Sequence, residues 1–175
     1  MHDKGGTMFG LILIYVGLVL INNGLAGIIG FDKKATAVLN LICGCIIFFF
    51  NVVSAVLLIT KGAESTSFFG PAIGFLFAIT YFFLFANTIF SLELRPFGYF
   101  CLFVCINALI ASYLDRANLY AFLIWIAWAF FWFLGFVECS LKKNLGKFSS
   151  YVALIEGILT GWLPGLLILL GLWQW

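Results

Sequence analysis

Charge is what this 175-residue sequence has least of: nine Lys or Arg and seven Asp or Glu make up 9% of it. Water-soluble domains carry roughly a quarter charged residues and need them to cover their surface, so a soluble domain is excluded. With 65% hydrophobic residues, 19% aromatics and a mean hydropathy of +1.18, a disordered chain is excluded too, because so apolar a polymer does not stay solvated. Histidine occurs once, at His2, which leaves no ligand set for a metal, and neither metal nor cofactor is expected. The net charge of +2 is spread along the chain rather than gathered into a basic stripe, so nucleic acid is not expected as a partner. Cys43, Cys45, Cys101, Cys105 and Cys139 all lie within or at the end of apolar runs, where they act as small hydrophobes. No nucleophile with a base partner, metal cluster or phosphate loop appears, and an enzyme is not expected.

Long apolar runs are what the sequence does contain. Six can be read off, at about 8–29, 35–59, 68–90, 97–114, 119–141 and 148–175, each long enough to cross a bilayer as a helix. The polar clusters between them carry turn residues: 30–34, 61–67, 93–96, 115–118 and 142–147. The expectation is an all-α membrane protein, one six-helix transmembrane bundle over 1–175 with a polar leader at 1–7. Lys and Arg accumulate on the cytoplasmic side of membrane proteins. Lys33, Lys34, Arg95, Lys142, Lys143 and Lys147 share one side, against Lys4, Lys61 and Arg116 on the other. Both termini are therefore expected outside.

Helical spacing arranges several faces. Gly10, Gly17 and Gly24 recur every seven residues on the first run, a stripe that admits close approach of a neighbouring helix. Leu13, Val16, Leu20 and Asn23 share a second face of that run. On the fifth run, Trp125, Trp128 and Trp132 fall within roughly 60 degrees of one another at about 100 degrees per residue. Tryptophans of an aromatic belt sit at the interfaces, whereas these occupy mid-helix and are expected to point inward. Phe77, Tyr81, Leu84 and Thr88 supply a wall from the third run, while Trp173 and Trp175 read as interface anchors. Asn51, Asn87 and Asn107 read as interhelical hydrogen bonders.

Glu156 carries the most weight. A carboxylate inside an apolar helix costs several kcal/mol unless it meets partners or water. Counted from the basic ends of their runs at 1.5 Å per residue, Glu156 lies at roughly 12 Å and Trp132 at roughly 14 Å, with Tyr81 expected at the same level. Glu138, one turn before Lys142, is expected to form an ion pair with it. Walls of rings and aliphatic side chains reject hydrated ions, which would lose their shell without replacement. A small, planar, neutral amide loses less and can donate N–H bonds to a carboxylate or carbonyl, so permeation of an uncharged solute is favoured.

The residues resemble the six-helix urea and short-chain amide channel family of the AmiS/UreI type. The resemblance is carried by Gly-Leu-Ile-Leu-Ile-Tyr-Val-Gly-Leu-Val-Leu-Ile-Asn-Asn-Gly at 10–24, Phe-Phe-Gly-Pro-Ala-Ile-Gly-Phe-Leu-Phe at 68–77, Leu-Arg-Pro at 94–96 and Trp-Ile-Ala-Trp-Ala-Phe-Phe-Trp at 125–132. Leu-Gly-Lys-Phe followed by Ile-Glu-Gly-Ile-Leu-Thr-Gly-Trp-Leu-Pro completes it within 145–164. It implies a hexameric ring in the bacterial inner membrane, with a pore inside each protomer for passive flow of urea and small amides. It also implies Leu13, Val16, Leu20, Tyr81, Trp128, Trp132 and Glu156 at or beside the constrictions, and a functional link to a cytosolic urease or amidase. Acid-opened members look different, with longer, histidine-bearing outer loops, whereas the outer loops here, 61–67 and 115–118, are short and contain none. Since histidine is the side chain that titrates between pH 5 and 8, this channel is expected to be open without acid. The alternative is a proton-coupled small-solute transporter using Glu156 or Glu138 as the proton carrier.

Overall fold

In hydrocarbon a backbone N–H or C=O needs an internal partner, and a long apolar segment finds one for every group only by coiling into a helix. The computed structural model describes residues 4–175, with side chains described from Met8 onward, so most of the leader expected at 1–7 lies outside the described residues. Six helices long and apolar enough to cross a membrane follow one another. They are α1 (Lys4–Leu25), α2 (Lys33–Thr60), α3 (Phe69–Phe90), α4 (Arg95–Leu114), α5 (Leu119–Cys139) and α6 (Phe148–Leu169).

Local chemistry sets several of their ends. The Asp32 carboxylate accepts the Ala35 N–H at 2.7 Å and starts α2; the Asn118 side chain accepts the Ala121 N–H at 3.3 Å and starts α5. Pro96 stands in the first turn of α4, where its missing N–H is not needed. Both α5 and α6 end earlier than the sequence expectation. The sixth helix stops at Leu169 rather than running to Trp175, and α5 stops at Cys139 rather than 141, because Lys142 takes a left-handed backbone with φ of 53°.

The last span is also not uniform. Between Phe148–Glu156 and Leu163–Leu169 it widens into a π-helical stretch, Gly157–Trp162. Pro164 supplies a reason: it lacks the N–H that would bond to the Thr160 carbonyl, and its ring crowds that carbonyl, so the preceding turn opens.

The six helices close into a ring in chain order. Three pairs pack extensively, α1 with α6, α2 with α3 and α4 with α5, whereas α3 meets α4 and α5 meets α6 only sparingly. The glycine stripe explains the first pair: Gly10 faces Ile168, Gly17 faces Gly157 and Trp162, and Gly24 faces Ser150 and Leu154. A Cβ on Gly161 would stand 2.6 Å from the Gly17 Cα, so neither position has room for a side chain. Val38, Phe49, Ile106 and Ile110 project outward, as a lipid-facing surface requires, while Leu13, Ile47, Phe77 and Trp128 face the middle of the ring.

Candidate functional site

Where the three pairs join loosely, the ring leaves space. One chamber of about 370 Å³ opens toward the basic end of the bundle, the end holding the loops after α1, α3 and α5. Val16, Leu20 and Asn23 of α1, Tyr81 of α3 and Trp128 and Trp132 of α5 line it. A second chamber of about 470 Å³ lies toward the opposite end, lined by Ile12, Asn51, Lys61, Asp115, Trp125 and Trp175. Phe77 lines both.

An aromatic layer separates the chambers. The Phe77 ring stands edge-on to Trp128 at 5.0 Å and to Trp125 at 6.2 Å, and lies tilted against Trp132 at 4.8 Å. Trp125 and Trp128 are perpendicular to each other at 4.9 Å. Such edge-to-face contacts suit the quadrupoles of the rings and lock their positions. The described residues thus enclose two chambers facing each other across one layer of rings, rather than a single open corridor. The three fifth-helix tryptophans do point inward, Trp125 and Trp128 fully buried and Trp132 partly.

One hydrogen-bond chain ties this layer to α6. The Trp128 indole N–H donates to the Thr160 hydroxyl at 2.8 Å, and that hydroxyl donates to the Glu156 carbonyl at 2.6 Å. The indole reaching α6 is therefore Trp128, not Trp132, and it meets a threonine, not the carboxylate. Depth does not separate them: at 1.5 Å per residue Trp128 at ~17 Å is level with Thr160 at ~18 Å, and Trp132 at ~10 Å is level with Glu156 at ~12 Å. Orientation does, since Trp132 faces the basic-end chamber and the Glu156 side chain does not. Glu156 is buried and its Oε2 has no hydrogen-bond partner among the described residues. Its side chain lines neither chamber, and neither does that of Leu13, which is fully buried in the same apolar core as Val16 and Phe77.

Thr160→Val should leave the Trp128 N–H buried without an acceptor. Loss of about 1–3 kcal/mol of stability is expected, read as a lower melting temperature in detergent, with Thr160→Ser restoring it.

The basic-end chamber holds a second polar pair. Asn23 and Asn40 exchange side-chain hydrogen bonds at 2.9 and 2.8 Å, and Asn40 also donates to the Thr36 carbonyl at 2.9 Å. Interhelical bonding thus falls to Asn40, whereas Asn51 and Asn107 donate to carbonyls of their own helices, Ile47 and Phe103. Glu138 lines this chamber and forms no ion pair with Lys142; with α5 ended at Cys139, the two no longer share a helical face. Thr160, Asn40 and Asp115 were not singled out as site residues from the sequence. For Thr160 a signal existed: a hydroxyl one turn past Glu156 and one turn before Pro164. For Asn40 and Asp115 none did, since each gains its role only from a partner on another element.

A ring of six membrane-crossing helices with chambers on both sides of a central layer, and no metal-binding cluster among the described residues, fits a multi-pass membrane channel or transporter. Its residues 8–172 match the model of the AmiS/UreI family transporter, and the chain belongs to that family. It is 38% identical to the acid-activated urea channel of Helicobacter pylori strain J99, over 95% of this chain and all of that one. It is also 34% identical to an inferred transporter, AmiS2, of Rhodococcus erythropolis, over 91% of this chain and 78% of that one. Among solved structures it resembles the Helicobacter pylori urea channel in its crystal structure, with a TM-score of 0.86 and 38% identity over 94% of this chain and 98% of that one. The cryo-electron microscopy structure of that channel in a closed state gives a TM-score of 0.85 at 39% identity, over 94% and 99%.

Proposed function

We propose that this protein is a passive membrane channel for urea and short aliphatic amides, with its path inside each protomer. The observation that carries the proposal is the pair of chambers meeting at the Phe77, Trp125 and Trp128 rings, with walls dominated by apolar side chains. A hydrated ion finds no replacement for its shell there, whereas a flat neutral amide slides along ring faces once they shift rotamer. Val16, Leu20, Tyr81 and Trp132 line the chamber on the basic side; Leu13 and Glu156 are buried outside both chambers, and the Asn23–Asn40 pair offers carbonyl and N–H groups to a solute in the chamber. The kinship with urea channels and amide transporters supports the choice of solute. A homo-hexamer in a bacterial inner membrane, the basic end cytoplasmic and both termini outside, and a urease or amidase consuming the permeant belong to the same proposal.

Because the outer loops lack histidine, the channel is proposed to conduct without acid. Stopped-flow permeability of proteoliposomes to urea, formamide and acetamide tests both parts. Flux well above protein-free vesicles is expected, unchanged within about twofold between pH 5 and 7.5, a range in which an ordinary carboxylate stays ionised and an ordinary histidine does not. A several-fold rise on acidification would overturn the second part. The buried, unpartnered Oε2 of Glu156 is the one observation that favours a proton-coupled transporter. In that case accumulation would follow an imposed proton gradient and collapse with a protonophore, whereas a channel only equilibrates.

A further inference from the structure

Trp175 lies six residues past the end of α6 and reads from the sequence as an interface anchor, yet it turns inward. Its indole N–H donates to Oδ2 of Asp115 at 3.0 Å, and the same oxygen accepts the Trp125 N–H at 2.7 Å. Its ring stacks nearly parallel over Trp128, with centroids 6.2 Å apart and planes at 14°. It also meets Trp125 edge-on at 5.9 Å and Phe9 of α1 edge-on at 4.6 Å. One carboxylate oxygen on the loop between α4 and α5 therefore holds two indoles, one from α5 and one from beyond α6, through charge-assisted bonds of defined direction. Trp175, Trp125 and Asp115 all line the termini-end chamber.

A tie that served only to fasten the chain past α6 could sit on the outer surface. This one places a flat ring parallel to Trp128, inside the chamber and directly against the layer that separates the two spaces. A solute coming from the termini end passes Trp175 before it reaches Phe77 and Trp128. We propose that Trp175 is a selectivity element in the permeation path, positioned by Asp115, that sets the upper size of the amides admitted to the aromatic layer. Planar solutes without bulk, such as urea and formamide, pass beside the ring; each added methylene must displace it and strain its bond to Asp115.

This inference rests on the channel proposal, and the measurement separates the two. Permeabilities of proteoliposomes to urea and to propionamide are compared for the wild type, Trp175→Ala and Asp115→Asn. The propionamide-to-urea ratio is expected to rise about threefold or more in Trp175→Ala, the effect of a modestly lowered barrier. Asp115→Asn should raise the ratio in the same direction, because a neutral amide oxygen holds the two indole N–H groups without the charge that strengthens both bonds. A misfolded variant lowers both fluxes and leaves the ratio unmoved. An unchanged ratio in a urea-conducting Trp175→Ala protein overturns the inference, and an unchanged ratio in a urea-conducting Asp115→Asn protein, which removes no ring, overturns the positioning role given to Asp115. If the wild type passes neither solute, the channel proposal itself has failed.

Discussion

Phe77→Ala is expected to raise urea permeability about tenfold and to let thiourea through nearly as well, because about 1.4 kcal/mol of barrier corresponds to a factor of ten. The ring borders both chambers and touches three tryptophans, so its removal joins the two spaces more directly than any other single truncation. Truncating a buried aromatic costs about 3–5 kcal/mol, and the variant has to be shown to remain a folded, monodisperse species in detergent. Phe77→Leu keeps most of the volume and isolates the ring geometry: an intermediate rise is expected. Flux that stays at the wild-type value in a folded Phe77→Ala protein would mean that solute does not cross this layer.

Gly161→Val should have the largest effect on the fold. The added side chain would start 2.6 Å from the Gly17 Cα and 2.7 Å from its nitrogen, backbone atoms that cannot swing aside. The α1 and α6 helices would have to separate, losing the close contact along their whole crossing and the register that sets Thr160 under Trp128. Overpacking typically costs 1–3 kcal/mol where side chains can yield, and more is expected here, where none can. The readout is recovery of monodisperse protein from membranes, expected to fall close to zero. Gly10→Ala provides the contrast, since the new methyl meets the Ile168 and Leu169 side chains, which can repack. Equal recovery of Gly161→Val and wild type would show that the crossing is looser than described.

The parts that were legible beforehand share one property: each depends on residues close together along a single helix. Apolar length marks the spans, and a seven-residue glycine spacing marks the face of α1 that α6 occupies. The spacing of Trp125, Trp128 and Trp132 marks an inward face of α5, and the third helix contributes its wall through Phe77 and Tyr81. Errors arose where rotation or partnership across helices mattered. Trp132 and Glu156 lie at one depth, but the rotation of α5 against α6, which neither segment encodes, turns Trp128 and not Trp132 onto an α6 side chain, that of Thr160. Glu138 has no helical partner in Lys142 because α5 ends at Cys139. Trp173 and Trp175 stand outside any helix, where periodicity carries no information.

Hydropathy and spacing, by themselves, determined that this chain spans a membrane six times, that α1 would be gripped along its glycines, and that rings would fill the middle. Each follows from solvation of the backbone and from helical geometry, which act locally and need no partner. Only the tertiary structure decided that the middle is two chambers meeting at Phe77, that Trp128 bonds to Thr160, and that Asp115 draws Trp175 inward. Those depend on the relative depth and rotation of separate helices, quantities that packing of the whole ring sets and no single segment encodes.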